Sequence, residues 1–146
     1  MSDILFIGQA PHRTHDPGYR PLIDGQCGER LANLIGVDLE QYARMIDTMN
    51  IFDRWTGSSA KGDVFPLQEA RERAIHIWTE IKYEKIVFVG KNVAKAFGFA
   101  RLDYFETIEI DGRIACVIPH PSGINRFWND KENVEKAKNF LRRFIS

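Results

Sequence analysis

The sequence predicts an α/β protein: one domain over residues 1–146, a three-layer α/β/α sandwich around a short, mainly parallel sheet. Three observations carry that expectation. Short β-rich runs alternate with helical stretches, the order that builds parallel sheets with helices on both faces. The chain has 146 residues, enough for one core and too few for two. Its apolar and charged fractions, 44% and 27%, are those of an ordinary globular protein and exclude disorder and repeats.

Each element has its own signal. Residues 4–8, Ile-Leu-Phe-Ile-Gly, form an apolar run of strand length. After the stretch 25–28, a helix is expected over 29–35 with Leu31, Leu34 and Ile35 on one face. Residues 45–52 are half apolar and are expected as a second strand. The polar Gly/Ser stretch 57–63 is expected as a loop, and Pro66 opens a helix reaching Lys82, since proline suits a first helical turn. Residues 85–90 give the clearest strand, and 91–97 a short helix ended by Gly98. A hairpin follows, 105–110 with 113–118, turning at Asp111-Gly112. The last helix spans 130–144 and packs through Val134, Ala137 and Leu141.

Lys plus Arg and Asp plus Glu both total 20, so no global field attracts a polyanion, and contact with nucleic acid must use a local patch. Cys27 and Cys116 are too few for a disulfide scaffold or a four-thiolate cluster and are expected as reduced thiols. The first eight residues hold no cationic leader and only four consecutive apolar residues, so a cytoplasmic protein without a membrane partner is expected.

In parallel α/β sheets, chemistry collects beyond the carboxyl ends of the strands. The polar clusters follow that rule. Gly8 is followed by Gln9-Ala10-Pro11-His12-Arg13, and the second strand carries Asn50 near its end. Gly90 is followed by Lys91-Asn92, and Ile118 by Pro119-His120-Pro121-Ser122-Gly123. Four strand ends are expected to feed one site.

Gly8-Gln9-Ala10-Pro11-His12 and His120-Pro121-Ser122-Gly123-Ile124 resemble the two signature motifs of the uracil-DNA glycosylase superfamily. The segment 20–25 with Gly28 and Leu31 is similar to the Pro-Phe-x-Gly-x-x-Gly segment of the bacterial members that carry an iron-sulfur cluster, and Thr48-Met49-Asn50-Ile51 to their Thr-Asn-Val strand. The resemblance spans nearly the whole chain. It implies an α/β/α sandwich that cleaves a base from deoxyribose, with DNA as partner; the chain is expected to act as a monomer.

Breaking an N-glycosidic bond develops positive charge on the sugar and negative charge on the departing pyrimidine. The resemblance gives His120 the task of hydrogen-bonding the carbonyl oxygen where that negative charge grows. Asn50 matches the asparagine that reads the Watson-Crick edge, since an amide offers an acceptor and two donors in one plane. Ile124 falls where the family places an apolar wedge, and Ser122, with Gly123, where a hydroxyl grips phosphate. The target base must be flipped out of the duplex or supplied single-stranded.

Several positions depart from the family pattern. Gln9 and Ala10 occupy first-motif positions where active members carry an acid, and neither can act as a base. Water orientation therefore falls to Gln9, Asp16 or Asp24; Asp24 lies one position from the aspartate of a branch that also lacks the first-motif acid. His12 replaces a tyrosine that excludes 5-methyl groups, and Leu22 replaces a stacking phenylalanine, so with Ala10 and Pro11 the pocket is expected to admit uracil or a 5-substituted pyrimidine. No cofactor is expected: two cysteines exclude the cluster, and no zinc-like spacing occurs.

Lys61, Lys91, Lys95 and Arg126 near the strand ends are expected to form a phosphate track, or are ordinary solvated cations. His15 and His76 are expected as surface or packing residues, and Trp128 as core, with Phe127 either core or a stacking platform. Two rival functions stay open. One is a non-catalytic reader of modified bases, suggested by Gln9-Ala10; the other is an N-glycosidase acting on free nucleosides or nucleotides, suggested by neutral charge and small size.

Overall fold

A computed structural model describes residues 3–11, 18–59, 62–122 and 125–146. Its main sheet has five strands. In chain order these are β1 (Ile4–Gly8), β2 (Asp47–Asn50), β5 (Lys85–Val89), β6 (Thr107–Ile110) and β7 (Arg113–Ile118). They lie in the spatial order β2-β1-β5-β7-β6. The first four in that row are parallel and β6 is antiparallel to β7. A separate antiparallel pair, β3 (Ser58–Ser59) and β4 (Gly62–Asp63), lies within the stretch expected as a loop.

Side-chain alternation splits the core into two layers. Ile4, Phe6, Val87, Val89, Cys116 and Ile118 face α1 (Gln26–Ile35), α2 (Leu39–Met45) and α5 (Lys131–Ile145). Leu5, Ile7, Ile86, Phe88, Ala115 and Val117 face α3 (Leu67–Glu80) and α4 (Lys91–Ala96). Helices on both faces explain why the strands are apolar without alternation, and the expected three-layer α/β/α architecture is the one observed. Among the described residues no helix is long and apolar enough to cross a membrane.

The boundaries differ where local chemistry overrides pattern. Helix α1 begins at Gln26 rather than 29, running through a glycine that the sequence suggests as a break. Gly28 is buried there, and a Cβ would lie 1.8 Å from the Ile23 carbonyl oxygen, so glycine is what lets the helix cross that backbone. Helix α2 was not expected; Asp38 starts it by accepting a hydrogen bond from the Gln41 N–H at 2.8 Å. The second strand is accordingly shorter than 45–52, with Met45 ending α2. Ile51 and Phe52 lie beyond β2 yet still donate to the carbonyls of Gly8 and Gln9, at 2.9 and 3.0 Å. Pro66 caps α3 rather than occupying its first turn. Strand β6 starts at Thr107 because Phe105, at φ 65°, breaks the pleat. The hairpin turn is as expected, Asp111 and Gly112 both at positive φ, 53° and 76°, the signature of a type I′ turn.

The chain moves from β1 to β2 on one side and then to β5 on the other. The switch point lies between β1 and β5, where sheets of this type place their ligands beyond the carboxyl ends of the strands.

Candidate functional site

Gly8 ends β1 opposite Asn50, which ends β2. A Cβ on Gly8 would lie 2.5 Å from Asn50 Oδ1 and 3.3 Å from the Leu22 methyls, so the missing side chain is what lets the amide and Leu22 meet above β1. Asn50 is half-buried. Among the described residues its amide has no hydrogen-bond partner, and it is open to solvent rather than buried.

Leu22 lies in a turn closed by the N–H groups of Ile23 and Asp24 on the Arg20 carbonyl, at 3.2 and 3.0 Å. Its backbone is left-handed, φ 59°, while its side chain is 5% exposed. For a branched side chain that conformation costs roughly 1–2 kcal/mol. The buried Tyr42 hydroxyl holds it by donating to the Leu22 carbonyl at 2.8 Å. Burial pushes the Tyr42 phenol well up, so it stays a donor.

Asp24 belongs to the same turn, and both its oxygens are engaged. Oδ2 accepts from the Arg20 backbone N–H at 2.8 Å, and Oδ1 from Arg20 Nε and Nη2 at 3.1 and 2.8 Å. Those hydrogen bonds hold its carboxyl below the usual carboxylate range.

His120 follows β7 on the far side of the switch point, and its loop is densely held. The Ser122 N–H donates to Nδ1 at 3.1 Å. A ring nitrogen that accepts cannot carry the proton, so the proton is assigned to Nε2. Trp128 Nε1 and Asn125 Nδ2 both donate to the His120 carbonyl at 2.8 Å. Arg30, on α1, donates through Nη1 to the carbonyls of Pro121 and Ser122 at 3.2 and 3.1 Å. Its guanidinium lies 5.4 Å from the centre of the buried Trp128 ring.

The other expected site residues are distributed unevenly. Gln9, half-buried, follows Gly8 at the switch point, and Pro11 is buried. Ala10 packs against the α3/α4 layer, opposite the layer holding Leu22. Lys91 is committed locally: Nζ donates to the Leu102 carbonyl at 3.1 Å, pairs with Asp103 at 3.3 Å and sits 4.9 Å from the Tyr104 ring centre. Arg126 and Lys95 are exposed, as is His76. Trp128 is core as expected, and Phe127 packs against Tyr104 and Phe105. His12, His15, Asp16, Lys61, Gly123 and Ile124 lie outside the described residues. Cys27, in the first turn of α1, is half-buried, and burial pushes its thiol up, against a smaller opposing pull from Arg30, so it is no ready thiolate.

Sequence reasoning missed Arg30, Tyr42 and Asn125. Arg30 had a signal, since it stands one helical repeat before Leu34 on the apolar stripe of α1. Tyr42 was hidden with α2, which Asp38 and Gln41 announce as a capping pair. Asn125 gave none.

The family model described as the uracil DNA glycosylase superfamily matches residues 1–144. No curated protein matches the chain.

Proposed function

The chain belongs to the uracil DNA glycosylase superfamily, and from that premise we propose that it hydrolyses the N-glycosidic bond of uracil or a 5-substituted pyrimidine in DNA, without a cofactor, after the base is flipped out. One observation carries the reading: an amide on β2 without a partner among the described residues and an imidazole with its proton on Nε2 after β7 flank the same switch point. Three interstrand steps of about 4.8 Å separate their strands by about 14 Å, enough for a planar heterocycle with hydrogen bonds at both ends.

As the bond to the sugar lengthens, charge grows on the pyrimidine carbonyl oxygen, and the His120 Nε2–H stabilises it without a proton leaving the ring. The Asn50 amide matches the donor and acceptor pattern of uracil, which cytosine inverts. Leu22 supplies an apolar wall. Because the positive charge on the sugar develops early, the water needs orientation more than deprotonation, and Gln9 at the switch point can orient it. As the water's oxygen bonds to the sugar carbon that the base leaves, its proton passes to the departing pyrimidine anion. Ser122 and Arg126, with Gly123, Ile124 and Lys61, complete the proposed DNA contact.

The test is base release from single- and double-stranded oligonucleotides bearing uracil, 5-hydroxymethyluracil and related bases, read as alkali-labile sites. Asn50→Ala should slow release by roughly 10- to 100-fold, the effect of one lost pair of base hydrogen bonds. Absence of abasic sites on every substrate rejects the enzyme. The second reading, a reader that binds modified bases without cleaving, is favoured by Asp24 being committed to Arg20. Tight binding without base release supports it.

A further inference from the structure

Resting on the glycosylase reading of His120, we propose that Arg30 is a positioning residue: it latches the His120 loop to α1 and thereby fixes the imidazole in its donor orientation. The loop leaves β7 through Pro119 and returns through the 3-10 turn Arg126–Asn129. Between those ends the carbonyls of Pro121 and Ser122 have no sheet or helix to bond. Arg30 donates to both from one nitrogen, Nη1, and the Asn125 N–H also donates to the Ser122 carbonyl, at 3.1 Å. The same side chain lies over the Trp128 ring, whose Nε1 holds the His120 carbonyl. Ser122 is therefore gripped at its carbonyl by Arg30 while its N–H grips His120 Nδ1. Moving Ser122 releases the bond that keeps the proton on Nε2.

The latch also joins two halves of the site. Helix α1 grows out of the turn that carries Leu22, and Gly28 presses it against the Ile23 backbone. Arg30 is less than one helical turn further on. Leu22 on one side of the switch point and the donor on the other are thus tied to the same short helix.

Both bonds come from a single cationic nitrogen, which an ammonium can replace and a thioether cannot. Arg30→Met keeps an apolar stem over Trp128 and removes the donors. Single-turnover base release at saturating oligonucleotide should fall by about 10- to 100-fold, as expected for a catalytic group displaced by about 1 Å. Oligonucleotide affinity should stay within about threefold, and Arg30→Lys, which keeps a cationic donor but not the planar guanidinium over Trp128, should recover part of the rate. Equal losses in affinity and rate, or an Arg30→Met enzyme at the wild-type rate, overturn the proposal. The nitrogen spectrum of the His120 ring reads the latch without activity. In the wild type Nδ1 should resonate as the unprotonated nitrogen and Nε2 as the protonated one, and in Arg30→Met the two should move toward each other. An unchanged spectrum overturns the latch even in an active enzyme. If the wild type releases no base, the glycosylase reading falls alone and the spectrum still decides on Arg30.

Discussion

The two flanks of the switch point are built in opposite ways. After β7, the backbone and ring of the His120 loop are held by Ser122, Asn125, Trp128 and Arg30. At the end of β2, the Asn50 amide is held by nothing among the described residues. On the proposed glycosylase reading the difference is functional. A donor for growing negative charge works best when its orientation is fixed before the charge appears, so protein bonds surround it. A group that reads a base must keep its valences for the base, so the protein surrounds it with shape instead, through Gly8 and Leu22.

The largest expected effect is on the fixed side. His120→Ala should reduce base release by roughly 10²- to 10³-fold, the usual effect of deleting one preorganised donor. Because the loop is held mainly through the His120 carbonyl rather than its ring, the variant should fold and bind DNA nearly as the wild type does. Binding and circular dichroism of the same preparation check this. A variant that does not fold would make the imidazole a structural cap and erase the contrast between the flanks.

On the open side, Gly8→Ala should act without touching the loop. The new Cβ meets Asn50 Oδ1, the far end of a side chain able to swing away, and Gly8 is not among the positive-φ glycines. The Cβ also lies 3.3 Å from the methyls of the buried Leu22, so stability should fall by about 1–3 kcal/mol, the usual cost of overpacking. Displacing the amide should slow release of uracil by about 10-fold and narrow its preference over cytosine. Competition between the two bases in one oligonucleotide measures this. An unchanged preference would mean that Asn50 does not read the base.

What the sequence disclosed follows the same divide. The strands and their carboxyl-end residues were legible because burial on both faces forces continuous apolar runs, and because the motifs are contiguous around Gly8 and His120. The bonds of the supports were not, although Arg30 itself gave a signal on the stripe of α1. Asn125 and Trp128 reach a carbonyl, and Arg30 reaches two from a helix about ninety residues earlier in the chain. Backbone oxygens exist at every position, so nothing in the letters marks which of them will be bonded. Helix α2 fell between these cases: its capping pair was present, but seven residues are too few for a convincing periodicity.

Tyr42→Phe probes the shape side from beneath. Removing the hydroxyl leaves the Leu22 carbonyl without that donor beside the core, which should cost about 1–3 kcal/mol. The melting temperature should fall by about 2–4 °C for each of those kcal/mol. The effect on base release should be smaller than that of Gly8→Ala, because Leu22 keeps its packing. A rate loss exceeding that of Gly8→Ala would assign the Leu22 turn a direct part in binding the base.

The smallest effect concerns Asp24. Its folded carboxyl titrates below the ordinary value of 3.8, chiefly through the hydrogen bonds from Arg20. A depressed folded pKa adds stability that is complete above the unfolded value and is lost as pH falls through the folded one. The pair is solvent-accessible, 56% and 36% exposed, so screening limits it to about 0.5 kcal/mol. Asp24→Asn should thus be slightly less stable than the wild type at neutral pH, and the two should converge as pH falls through the lowered folded value, as denaturant titrations across pH can measure. Strong salt should shrink the gap at pH 7. Base release should stay within about threefold of wild type, since the carboxylate is occupied by Arg20 and water orientation is assigned to Gln9. A tenfold loss would move that role to Asp24 and show that the Leu22 turn carries chemistry as well as shape.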